Sequence, residues 1–293
     1  MSDLSPSVRP LTNRMRGLLL VFGLLTILAV GVLYIPPEFT NRYFAWTVSP
    51  PITAAFLGGG FGAGFVMVVL IRRERAWANA RVGLLTILLF VVLMLLATLL
   101  HLDRFHFDAA GAIARFAAWF WLLVYVIVPL AMLALLAAQV RVPGSDPPRQ
   151  RTLPSWLAWL IGLQGMVMAL TGAGLFIAPG VAGTVWPWVL TPLNARAVGA
   201  WLIAVGIGAA LAVREHDLIH LRAGVAAYAV FGALQLGALA RFAEQVRWGT
   251  AAWVYTLVAA SILATGLYGW AAANRISRNG REDARDAARQ TNR

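Results

Sequence analysis

The chain contains neither cysteine nor lysine; all of its 24 basic residues are arginine. Without cysteine there is no disulfide, no thiolate nucleophile, no iron–sulfur ligation and no c-type haem attachment. Charge is also scarce. Only 12% of residues are charged, about half the share usual in a soluble domain. No Asp, Glu, Lys or His falls in the middle of an apolar run, which argues against a proton pump, because a proton relay needs such a group. No polar stretch is long enough to fold as a separate soluble domain.

What the chain has instead is hydrophobic residues, at 60%. They come in runs of about 20, enough to cross a hydrocarbon core of roughly 30 Å. The fold class that follows is an all-α integral membrane protein. Eight spans are expected, at 17–35, 50–71, 82–102, 114–140, 156–177, 192–213, 223–243 and 248–273. The first is longer than a signal-peptide core and has no small-residue cleavage site after it, so it is read as retained.

An even number of spans puts both ends on one side. Most of the 24 arginines lie on that side, so both termini are read as cytoplasmic, with the protein in a bacterial plasma (inner) membrane. The net charge of +12 flanks the spans and so points to orientation, not to nucleic acid.

One stretch occurs twice. Residues 34–72 return, without a gap, as 176–214. Ile35, Pro37, Trp46, Pro50, Ala55, Gly64 and Arg72 recur as Ile177, Pro179, Trp188, Pro192, Ala197, Gly206 and Arg214. Such a match at constant shift indicates an internal duplication. Outside it, Arg104-Phe105 is paired with Arg241-Phe242, and Ala117-Ala118-Trp119 with Ala251-Ala252-Trp253. Each copy holds four spans, so the halves are expected as parallel four-helix repeats about a pseudo-twofold along the membrane normal. The resulting division is a cytoplasmic tail at 1–16, repeats at 17–140 and 156–273, a cytoplasmic linker at 141–155, and an Arg-rich cytoplasmic tail at 274–293 with helical charge pairs.

Within the doubled stretch, Trp46 precedes Ser49-Pro50 and Trp188 precedes Thr191-Pro192. Ser or Thr caps a helix start, proline follows well, and Trp sits at headgroup depth. Helix starts also attract anions, which makes Arg42, Arg196 and Arg241 candidate contacts for an anion or lipid headgroup. Gly58/Gly62 and Gly60/Gly64 are spaced for close helix packing, as are Ala204 and Gly208 in the second copy.

Two polar clusters stand out. His101, Asp103, Arg104, His106 and Asp108 form an outer-face candidate with no counterpart in the second copy. His216 and His220 are four apart, on one face if the helix continues, and are weak metal or haem candidates. Gln164 and Gln235 are the clearest polar groups inside the membrane. Pro129 should kink the fourth span.

The stretch FAWTVSPPITAAFLGGGFGAG, with LLHLDRFHF and AAWFWLLVYVIVP, resembles a group of bacterial multi-pass membrane proteins without an assigned activity. The resemblance is mainly to residues 36–129. It implies a bacterial plasma membrane and carries no catalytic or binding residue.

These features favour a non-enzymatic membrane protein with a structural, assembly or accessory role. The alternative is a carrier or channel for a small solute, anion or lipid through the interface of the repeats, which a cavity lined by Gln164, Gln235 and the glycines would support. An outer-face enzyme or metal/haem protein comes third and would need His101, Asp103, His106 and Asp108 to converge. No cofactor is expected. Membrane lipids are the expected partners, with a membrane-protein partner or a second copy as further candidates.

Overall fold

A computed structural model of the chain describes residues 8–149 and 151–291, with 276–291 in backbone alone. Among the described residues it holds eight helices long and apolar enough to cross a membrane: α1 (Asn13–Leu33), α2 (Pro51–Arg73), α3 (Arg81–Leu99), α4 (Ala112–Val140), α5 (Ser155–Ile177), α6 (Pro192–Glu215), α7 (Arg222–Arg241) and α8 (Thr250–Thr291, apolar as far as Arg275). By length and composition this is a multi-pass membrane protein. The charge pairs expected in the C-terminal tail lie outside the described side chains. α4 runs on through Pro129.

Helix ends depart from the expected spans for local reasons. α1 starts at Asn13, not Gly17, because Thr12 caps it by accepting from the Met15 N–H at 3.4 Å. Hydropathy does not register that polar first turn. α3 ends at Leu99 in a turn, so Leu102 belongs to the following loop.

The two Trp-x-x-Ser/Thr-Pro starts also differ. Thr191 caps α6 as expected, accepting from Asn194 N–H at 3.3 Å. Ser49 does not cap α2. Proline disfavours helical geometry in the residue before it; Pro50, ahead of Pro51, is accordingly extended and takes the cap position. The missing acceptor comes from far away, as Gln245 Oε1 receives the Ile52 N–H at 3.1 Å.

The packing interleaves the two halves of the chain. α1 lies on α2 and α5 on α6, but α2 then packs on α7, and α6 on α3. α4 closes against α3, and α8 against α7. α2, α6 and α7 are the most buried spans; α1 and α8 are the least.

Two buried indoles cross between the halves. Trp46 Nε1 donates to Asn194 Oδ1 (3.0 Å), and Trp188 Nε1 donates to Thr53 Oγ1 (2.9 Å). Each tryptophan thus bonds the start of the other half's second helix. Trp121 of α4 packs edge-on against Trp46, as Tyr255 of α8 does against Trp188.

Glycines decide how closely helices approach. A Cβ on Gly172 or Gly206 of the α5–α6 pair would fall 2.8 Å or 2.6 Å from a backbone oxygen of the partner helix. Gly232 meets the α8 backbone in the same way, at 2.6 Å from Leu263 N. In the first half, Gly58 touches Tyr34 backbone, but Gly64 has nothing nearer than 3.8 Å. The second half is therefore closed backbone to backbone, and the first half is looser along much of its length.

At the end of the bundle where α1 begins and α6 ends, short strand-like contacts tie down the segments outside the helices. Pro10 pairs with Ala76, and Thr152 with Asp217. Leu11 N–H reaches Arg75 O and Leu153 N–H reaches His216 O. Gln139, fully buried, clamps the first segment through Pro10 O and Thr12 N–H.

Candidate functional site

The looseness of the first half leaves a cavity of about 600 Å³ among α1, α2, α3 and α4, floored by α6 and α7. Its walls are hydrocarbon and aromatic, including Phe61, Phe90, Trp121 and Trp201. Along α4 the lining runs from Ile113 to Val128, about 22 Å at the helical rise and so most of a hydrocarbon core. Leu28 of α1 and Phe116 of α4 rim it and are 58% and 67% exposed. Exposed apolar side chains of α1 and α4 thus flank the cavity.

Polar atoms in this wall are few. Thr26 and Thr86 spend their hydroxyls on carbonyls of their own helices. Tyr125 lines the cavity with its hydroxyl in no hydrogen bond.

The most charged structure near the cavity stands at its termini-side end. Arg81, at the start of α3, grips Glu215 at the end of α6 with two bonds, Nε to Oε2 at 2.7 Å and Nη2 to Oε1 at 2.6 Å. Its Nη1 is paired with Asp146. Glu215 Oε1 also takes His220 Nδ1 at 2.8 Å. A carboxylate held by a guanidinium is an acceptor only, so Nδ1 is the donor. His220 is 6% exposed and lines the cavity. Its Nε2 makes no hydrogen bond within the protein.

This arrangement corrects the reading of His216 and His220. The helix does not continue through them. His216 ends α6 in a left-handed conformation, at φ 56°. Asp217 Oδ1 then accepts the N–H groups of Ile219 and His220 at 2.8 and 3.1 Å, a local turn that competes with helix. The two rings do not share a helix face.

The outer-face cluster is dispersed. His106 ties its loop to the stretch before α2, with Nδ1 on Phe44 O and Nε2 on the Thr47 hydroxyl, both at 3.0 Å. His101 Nε2 accepts from Arg196 Nη1 at 2.6 Å. Burial pushes the His101 imidazole below its ordinary value; Arg196, and more weakly Arg104, act the same way against an opposing Asp103. Asp103 pairs with Arg104 in the open, and Asp108 is exposed. Among the described residues no three His, Asp or Glu side chains stand together as a metal site.

His106 N–H donates to Ala45 O, and Arg247 N–H donates to Pro187 O. Arg247 Nη2 reaches Trp186 O at 2.7 Å, as His106 reaches Phe44 O.

Arg241 holds Tyr34 O (2.8 Å) and Glu38 (3.3 Å). Arg42 stacks on the Phe39 ring at 5.9 Å. Gln164 bonds Ser261, Thr265 and Tyr228, and Gln235 bonds Phe56 O and Tyr255. Neither glutamine lines the cavity. No protein-family model, curated protein or solved structure matches this chain.

Proposed function

We propose that the protein takes a long apolar molecule from the bilayer into the cavity between α1 and α4 and holds it there, as a lipid-binding carrier or accessory protein of the bacterial plasma membrane. The observation that carries this is the cavity: hydrocarbon walls, a length close to that of a lipid chain, and exposed apolar side chains of α1 and α4 at its rim. The route differs from one between the repeats through Gln164 and Gln235.

The proposal includes two parallel repeats and cytoplasmic termini. Supporting the repeats are the reciprocal indole bonds, the swapped pairing of α2 with α7 and α6 with α3, and the paired strand contacts of Arg9–Leu11 and Arg151–Leu153. Residues 151–153 then belong to the second repeat, as 9–11 belong to the first. The arginine bias supports the orientation. In this scheme the second repeat is the rigid member and the first is the container.

Photolabelling tests the binding role. The purified full chain in nanodiscs is exposed to a photoactivatable hexadecane. Labels should collect on Phe120, Val124 and their neighbours, and Ala204→Phe, which fills the cavity, should remove them. Labels spread evenly over outward residues such as Leu24 and Leu130, and indifferent to Ala204→Phe, would refute the proposal.

A further inference from the structure

His220 is the only titratable nitrogen in the cavity's lining among the described residues. It is almost wholly buried, oriented by a carboxylate on one side, and unpartnered on the other. The Glu215 bond fixes the ring so that, in its neutral form, the proton sits on Nδ1 and Nε2 keeps an unused lone pair.

The surrounding charge selects among oxygen-bearing ligands. No arginine lines the cavity. Arg81, the nearest cation in the network, is already committed to Glu215 and Asp146. A phosphate or carboxylate entering here would meet Glu215 with no free cation to balance it. A hydroxyl can donate to Nε2 without adding charge.

Resting on the cavity reading above, we infer that the occupant is a neutral amphiphile, a long-chain alcohol in chemical class, whose hydroxyl donates to His220 Nε2 while its chain runs along α4 toward Ile113. Anionic phospholipids are disfavoured at this end.

Three photoactivatable probes, hexadecanol, hexadecane and hexadecyl phosphate, separate the possibilities on the full chain in nanodiscs. Label is read on the 113–128 peptide. Hexadecanol should exceed hexadecane by about ten-fold, the worth of one well-made hydrogen bond in an apolar site. His220→Ala should reduce hexadecanol to the hexadecane level and leave hexadecane unchanged. If His220→Ala loses hexadecane as well, His220→Phe, which keeps the ring and drops the nitrogens, decides in its place. Equal labelling by alcohol and hydrocarbon in the wild type overturns the inference but leaves the cavity reading intact. So does a preference for hexadecyl phosphate, or a preference removed by Tyr125→Phe and not by the His220 variants. Absence of all three labels from the peptide overturns the cavity reading itself.

Discussion

Gly64 and Gly206 occupy the same place in the doubled stretch, yet alanine at the two should behave differently. At Gly206 a Cβ would sit 2.6 Å from Gly165 O and 2.7 Å from Ala169 N. Both are backbone atoms of α5 and cannot swing aside, so α5 must move outward by several tenths of an ångström. Overpacking of this kind costs about 1–3 kcal/mol. At Gly64 the nearest atoms are side-chain carbons of Thr26 and Trp201, both at 3.8 Å, an ordinary contact. Both variants gain helix propensity of up to about 1 kcal/mol, and that gain cancels in the comparison. Gly64→Ala should thus be more stable than Gly206→Ala by about 1–3 kcal/mol. SDS titration of the two proteins, followed by circular dichroism, measures the gap directly. Equal midpoints, or the reverse order, would mean that α5 and α6 are not in backbone contact and that the contrast between a closed and an open half is wrong.

Trp46→Phe should cost more than Trp188→Phe, by roughly 1 kcal/mol. The first strands a buried amide oxygen of Asn194, while the second strands a Thr53 hydroxyl that can still donate along its own helix; the same titration decides, and an inverted order refutes this account. Glu215→Gln should destabilise the protein by roughly 2–4 kcal/mol, the lower part of the range for a broken buried pair because Arg81 remains 28% exposed; a midpoint unchanged from wild type would show the network to be dispensable. Burial, and after it the Arg196 guanidinium, disfavour the charged form of His101, so its folded pKa lies below the unfolded value of about 6.5. The stability it contributes is complete above that value and lost as pH falls through the folded pKa. His101→Gln, which still accepts but does not titrate, should flatten part of the stability decline between pH 7 and 5, and an identical slope in wild type and variant would remove His101 from the account.

The spans were legible because each rests on a long pattern, and twenty apolar residues survive local exceptions. The short signals were harder. Arg9-x-Leu11 and Arg151-x-Leu153 repeat at the same shift as the main stretch, but two residues inside a proline-rich segment look like a linker until their strand contacts are seen. Ser49 failed as a cap because one extra proline moved the helix start. Arg81 and Glu215 stand 134 positions apart, and each looked like a charge marking a membrane edge. His220 was noticed for its spacing to His216, when what matters is Glu215 beside it. The cavity had no signature at all, since it arises where close glycine contacts are missing between helices whose pairing the sequence does not state. Gln164 and Gln235 stand out in the sequence as polar groups inside apolar runs, but composition does not show which neighbours they bond.

The crossing of α2 onto α7 has a consequence for biosynthesis. α2 is the most buried span, and its glycine-rich face finishes against a helix that ends at Arg241. At about 5–20 residues per second, on the order of ten seconds or more pass between the completion of α2 and that of α7. During that interval the future centre of the protein faces lipid or the insertion machinery, with Gly59 and Gly62 bare. Neither four-helix half is then an independent folding unit. A ribosome stalled before α7 should leave a chain that is fully inserted and unassembled, open to proteolysis or to capture by another copy's α7.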